Sequence, residues 1–213
     1  MKAEASSERR RSPRVYPVRP MLPRAVVEAH RRERFAMALS ELVQEHGEVA
    51  LTVTEVIERA GAARNTFYEV FRSKEGCFEF ACVWARERLL SAIGAATQAG
   101  EGEERTRAVI RALLQTAAEL PAPVELCLVH SAADSEAREG VGDVATVDAL
   151  ARALVPGRSE ENPSARSQLL AAGIVALIAV RLRRDQLPAL AELEEELVGL
   201  AQLQFGAERV EAR

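Results

Sequence analysis

Aromatic residues make up only 4% of the 213 positions, with a single tryptophan, which argues against a large aromatic cage for a planar cationic ligand. Cysteine is as sparse. Cys77, Cys82 and Cys127 form an odd set with no C-x-x-C spacing, the usage of a chain kept reduced inside the cell, so a cytoplasmic protein is expected. The three histidines, His30, His46 and His130, fall at no metal-ligand spacing, and neither a metal nor a cofactor is expected. A phosphate-cradling glycine loop, a nucleophile elbow and a paired His–acid arrangement are also missing, so the chain does not read as an enzyme. With 12 glycines and 9 prolines against abundant alanine and leucine, the composition favours an all-α chain. The densest apolar run, Leu169 to Val180, is too short for a bilayer and is followed at once by Arg181, Arg183 and Arg184. It reads as a buried helix, and no membrane partner is expected.

Lysine is nearly absent too: of 28 basic residues only Lys2 and Lys74 are lysines. Residues 1–76 carry 14 Lys/Arg against 11 Asp/Glu, whereas the remainder carries 14 against 21. An acidic overall balance hides a basic end, and only that end suits nucleic acid. Within it, residues 1–22 hold Arg9-Arg10-Arg11, Arg14 and Arg19 among prolines without apolar periodicity, a disordered basic tail that could follow a minor groove. No apolar stretch follows those arginines, so the tail is not a signal peptide.

What is present is concentrated between Thr52 and Lys74. Thr52 followed three residues later by Glu55 is a capping box and marks a helix start. Val53, Val56, Ile57 and Ala60 then recur on one face, and Gly61 stands where a left-handed residue would end the helix. A second short helix is predicted from Arg64 to Phe71. Phe67, Val70 and Phe71 share its inner face, while Arg64, Asn65, Thr66, Tyr68 and Glu69 lie opposite. A rigid cylinder with one face of hydrogen-bonding groups has the form needed to enter a major groove, so the pair reads as a helix-turn-helix. Ser73 is a good N-cap for a long helix opening at Lys74.

Thr52, the string A-G-x-x-x-x-T-F-Y-x-x-F at Ala60 to Phe71, and Ser73-Lys74-Glu75, preceded by a helix ending in Glu45-His46-Gly47, resemble the tetracycline-repressor (TetR) type of bacterial transcription regulator. The resemblance covers Arg31 to roughly Phe80. It implies phosphate contacts by Thr52, Tyr68 and Lys74, and base-edge or nearby backbone contacts by Arg64, Asn65 and Thr66. The sequence departs from the pattern at Ala63, where the family has a Ser or Thr cap, and at Val70, where a His is common.

The remaining chain follows a helical pattern. One helix is expected from about Pro23 to His46 with Phe35, Ala38, Leu39, Leu42 and Val43 as its stripe, completing a three-helix DNA-binding unit over residues 23–73. The helix from Lys74 to about Thr97 is apolar on more than one side, as expected of a link between two packed units. Gly94, Gly100 and Gly102 break the pattern. Thr106 to Leu120 is the next helix, stopped by Pro121 and Pro123, and a weaker helical region with a break near Glu139-Gly140 runs to Leu154. Helices at Ser164 to Arg184 and Asp185 to Phe205 close the chain. Their apolar residues, among them Ile174, Leu177, Ile178, Leu190, Leu193, Leu197 and Leu200, exceed what one copy needs and predict a four-helix homodimer interface.

The expected fold is therefore an N-terminal helix-turn-helix unit joined to a helical effector-binding and dimerisation domain over residues 74–213. The expected function, in line with the resemblance, is a ligand-responsive repressor that binds a near-palindromic DNA operator as a homodimer. Trp84, Gln115, Cys127 and His130 are the candidate lining of a modest apolar pocket for a small-molecule effector. The competing reading is a helical dimeric scaffold or enzyme whose helix-turn-helix no longer reads DNA, which Ala63 and Glu69 make conceivable.

Overall fold

A computed structural model describes residues 23–48, 51–130, 144–154 and 163–206. The basic tail and the break expected near Glu139-Gly140 lie outside the described residues. Those that are described form helices without strands, as the composition requires: α1 (Arg24–His46), α2 (Val53–Arg59), α3 (Arg64–Val70), α4 (Lys74–Ala96), α5 (Gly102–Glu119), α6 (Pro121–His130), α7 (Val144–Leu154), α8 (Ala165–Arg183) and α9 (Pro188–Gly206).

Two apolar cores organise them. The first joins Phe35, Leu39, Leu42 and Val43 of α1 to Val56 and Ile57 of α2, Phe67 of α3, Cys77, Ala81 and Trp84 of α4, and Leu126 of α6. The second takes in Leu89 and Ile93 of α4 with the buried faces of α5 to α9. α4 thus passes from one core to the other, packed on α1 along one side and on α5, α6 and α7 along the rest. This accounts for its apolar residues on several sides. The first core also extends past residue 73 into the first half of α4.

Several boundaries differ from the sequence expectation for local reasons. Gly94 lies inside α4 without interrupting it; the turn comes at Gly100, whose φ of +132° no residue with a side chain adopts readily. α5 begins at Gly102, a turn before Thr106, with Glu103 and Glu104 placed favourably in its first turn. Pro121 does more than stop α5. It opens α6 after a bend of 108°, at a helix start where its missing N–H is not needed. Between α8 and α9, Asp185 takes a left-handed φ of 52°, while the Asp185 and Gln186 N–H groups bond the carbonyls of Leu182 and Arg181. That closes α8 with a Schellman turn and delays α9 to Pro188.

α8 is not buried all round. Ser167, Ala171, Ile174, Val175, Ile178 and Leu182 face the core, but Leu169 is 74% exposed and Val180 44%. By length and composition α8 could cross a bilayer; here its inner face is part of a packed core and its last turn carries Arg181 and Arg183. On α9, Leu190, Leu193 and Leu197 are buried in the chain's own core, whereas Leu200 is 52% and Leu203 78% exposed. Arg111 pairs with Glu194 at 2.7 Å, and Arg107 bonds Glu195, fastening α5 to α9 across the outer surface.

Candidate nucleic-acid interface

The site rests on how α2 and α3 are started, stopped and held. Thr52 caps α2 with both halves of the box in place: Glu55 N–H donates to Thr52 Oγ1 at 3.3 Å, and Thr52 N–H donates to Glu55 Oε2 at 2.8 Å. Gly61 has φ +58°, its N–H bonds Glu58 carbonyl at 3.0 Å, and Ala62 N–H bonds Ile57 carbonyl at 3.1 Å. These two bonds are a Schellman motif that fixes the angle of the turn. Arg59, in the last turn of α2, donates to Glu45 at 2.6 Å and to Glu41 at 3.2 Å on α1. The same guanidinium holds the Glu45 carboxyl below its usual range.

α3 has no such terminal fastening. Ala63 stands at its N-cap and makes no side-chain cap bond, as expected from the missing Ser or Thr. A seven-residue helix cannot persist on propensity alone, so tertiary packing must hold it. Phe67 is fully buried, with its ring edge-on to Phe35 at 5.2 Å and 5.7 Å from Phe71. Phe71 in turn meets Phe80 of α4 at 5.5 Å. The scarce aromatic residues are thus gathered behind α3, which they pin to α1 and α4; such ring pairs add about 0.5–1.5 kcal/mol each beyond area burial.

The opposite face of α3 is open. Arg64, Asn65, Tyr68 and Glu69 are exposed and Thr66 is half-buried. Tyr68 stands edge-on to Phe67 at 5.4 Å, and the Arg64 guanidinium lies 5.7 Å from the Tyr68 ring centre, so both side chains are oriented before any partner arrives. Glu69 pairs with Arg31 of α1 at 3.3 Å, a contact across 38 residues that no local spacing signals.

Lys74 and Thr52 are brought together. Lys74 Nζ donates to the Leu51 carbonyl at 3.1 Å, one residue before the Thr52 cap. Ser73 caps α4, accepting from Gly76 N–H at 3.1 Å. A cation beside helix N–H groups is an arrangement that a phosphate oxygen would satisfy. Thr52 is less free than its expected role requires, because its hydroxyl also donates to Glu55 Oε2 at 2.7 Å. Its backbone amide is likewise engaged by Glu55.

Three of the four expected pocket residues are described, and they differ in exposure. Trp84 is buried in the first core, its indole N–H lacking an acceptor among the described residues; Cys127 is buried on α6; Gln115 is exposed on α5; the His130 side chain lies outside the described residues. A cleft of about 260 Å³ opens elsewhere, between α1, α6 and α8, lined by Ser40, Val43, Gln44, Glu125, Leu126 and Arg183. Glu125, only 6% exposed, accepts there from Gln44 Nε2 at 2.7 Å and from Arg183 Nε at 3.3 Å. No local pattern signals this clasp, since its members stand 81 and 58 positions apart. Of the expected dimer residues, Ile174, Ile178, Leu190, Leu193 and Leu197 fill the protomer's own core and Leu177 is half-buried; Leu200 remains exposed. The uncovered apolar stripe is instead Leu169, Gly173, Ala176 and Val180 on α8 with Leu200 and Leu203 on α9. The Gln204 amide bonds the Arg166 carbonyl at 3.1 Å, so the exposed ends of the two stripes are neighbours.

Comparison with known proteins agrees with this geometry. The sequence model described as "Bacterial regulatory proteins, tetR family" matches residues 38–81, the span from the middle of α1 into α4. Among solved structures, the TetR family transcriptional regulator PfmR from Thermus thermophilus is 17% identical and covers 82% of this chain and 95% of its own, with a TM-score of 0.59. A putative transcriptional regulator from a Rhodococcus species is 22% identical over 83% of this chain and 95% of its own, at a TM-score of 0.51. No curated protein matches the sequence. The helix-turn-helix segment thus resembles the TetR family of bacterial regulatory proteins, and over most of its length the chain has the fold of a TetR-family regulator.

Proposed function

We propose that this protein is a cytoplasmic transcription regulator that binds a near-palindromic DNA operator as a homodimer and represses until a small ligand releases it. The observation that carries the DNA reading is the outward face of α3, with Arg64, Asn65, Thr66 and Tyr68 on a short helix immobilised by buried rings. Lys74 stands beside Thr52 as the phosphate-facing cation. Two copies related by a two-fold axis place their recognition helices in successive major grooves about 34 Å apart. The exposed stripe on α8 and α9 supports the dimer, because Gly173 and Ala176 between Leu169 and Val180 let two helices approach closely.

Ligand response has a narrower footing. The Trp84 indole N–H is buried without an acceptor among the described residues, and leaving such a group unpaired costs roughly 1–3 kcal/mol. A ligand acceptor reaching it would recover that energy.

In-vitro selection of bound DNA fragments with wild type and with Tyr68→Phe, Thr66→Ala and Lys74→Ala tests the DNA reading. One palindromic site, weakened in the variants, is the expected result; no enrichment at low salt would sink it. Sedimentation of Leu200→Glu/Leu203→Glu tests the dimer, which is expected to dissociate while keeping its helical content.

A further inference from the structure

Glu69 is the one acid among the exposed residues of α3, and the DNA reading leaves it unexplained. It stands one turn after Asn65 on the same outward line, opposite the buried Phe67, where an acid would repel phosphate. The structure deals with this charge in a specific way. Arg31, from α1, reaches across to Glu69 Oε2 at 3.3 Å, while both side chains stay open to solvent at 45% and 62%. Arg31 therefore compensates the carboxylate without covering it, and the other oxygen remains able to accept.

A carboxylate accepts only, so it needs a donor in the groove. Guanine and thymine present only acceptors and a methyl group on the major-groove edge. Adenine presents its amino group next to the N7 acceptor, which would repel a carboxylate. Cytosine presents the N4 amino group alone. We infer that Glu69, held by Arg31, is a specificity-determining residue that selects a cytosine at one position of each half-site. This rests on the proposed DNA reading and adds to it a base identity and the residue that chooses it.

The two partners should act in opposite directions, which ordinary surface residues would not do. Losing the carboxylate removes repulsion from phosphate as well as the cytosine contact. Glu69→Ala is therefore expected to lower the preference for cytosine at that position by about fivefold to tenfold, the low end of single-base discrimination, while binding to sites lacking it is unchanged or tighter. Arg31→Ala leaves the acid uncompensated and weakens binding to all sites alike, with the cytosine preference intact.

The experiment is in-vitro selection followed by titration of duplexes differing at the selected position, using full-length wild type, Glu69→Ala, Glu69→Gln and Arg31→Ala. Circular dichroism of each variant shows that the helices persist. Enrichment of a symmetric cytosine in wild type, lost in Glu69→Ala and kept in Arg31→Ala, supports the inference. The same motif with the same preference in wild type and Glu69→Ala overturns it while leaving the DNA reading standing. No enrichment by wild type overturns both.

Discussion

Gln44→Leu removes one of the two donors to Glu125 and leaves the carboxylate where it is, 6% exposed between α1, α6 and α8. The remaining donor, Arg183, is itself 59% exposed, so it is well solvated and compensates weakly. A hydrogen bond to a charged group contributes about 1.5–3 kcal/mol, and removing the donor alone exposes the desolvation penalty of the acceptor. The adjoining cleft admits water and moves the expected loss toward the lower end, about 2 kcal/mol. Glu125→Leu removes the charge together with its demand for donors and fills apolar space beside Val43, Ala122 and Leu126, so it should be close to neutral. The double variant should resemble Glu125→Leu and lie above Gln44→Leu. Urea unfolding of the four proteins at equal concentration gives the cycle directly. Equal losses for the two single variants, or strictly additive losses in the double, would refute the reasoning, because either outcome means that the buried charge is not what Gln44 serves.

Three other measurements address separate features. The Glu194 carboxyl is held below its ordinary value of 4.5 first by its bond with Arg111, so its contribution is fully present above that value and is lost as pH falls toward the folded-state value; Glu194→Gln should flatten the acid limb of a melting profile taken from about pH 6 to about pH 3, and an unchanged limb would contradict the assignment. Burial pushes the Cys77 thiol up to about 12, and Cys82 and Cys127 are also buried, so a thiol reagent at about pH 8 should label all three cysteines only after unfolding; rapid labelling of the native protein would point to an open site. Asp185→Gly should stabilise by about 0.5 kcal/mol, because relief of the left-handed φ, about 1 kcal/mol, is half offset by the wider freedom of glycine when unfolded; destabilisation would mean that the Asp185 side chain has an unseen role.

The features legible in the sequence are those whose physics is local. Thr52 with Glu55, Gly61 and Ser73 each act within a few residues, and each appears where its spacing placed it. The weak start of α3 at Ala63 was legible for the same reason. What the sequence hid depends on distant partners. Leu190, Leu193 and Leu197 have the spacing of an intermolecular seam, but α5 supplies the other side of that seam within the same chain. Periodicity locates an apolar face and says nothing of which apolar face will cover it. In α8 the ambiguity is greater, since both faces are apolar, and only packing separates Ile174 and Ile178, buried, from Leu169 and Val180, exposed. The clasp of Gln44, Glu125 and Arg183 joins three helices through residues that look like ordinary surface polars.

The distribution of the two cores limits how the C-terminal part could influence α3. α3, uncapped and seven residues long, depends for its position on Phe35, Phe71 and the first half of α4. That half of α4 shares a core with α1 to α3, so displacing it without α3 would open gaps around Phe67, and loss of such a buried ring costs about 3–5 kcal/mol. The second half, with Leu89 and Ile93, belongs to the other core. Between them Arg88 bonds Glu33 of α1 at 3.4 Å and lies over the Trp84 ring at 5.7 Å. A ligand that shifts α5 to α9 relative to α3 has three routes: the short span of α4 from Trp84 to Leu89, the packing of α6 on α1 and α4 through Leu126, and the Glu125 clasp, which joins α6 and α8 to α1. To change DNA affinity tenfold it must prefer one arrangement over the other by about 1.4 kcal/mol.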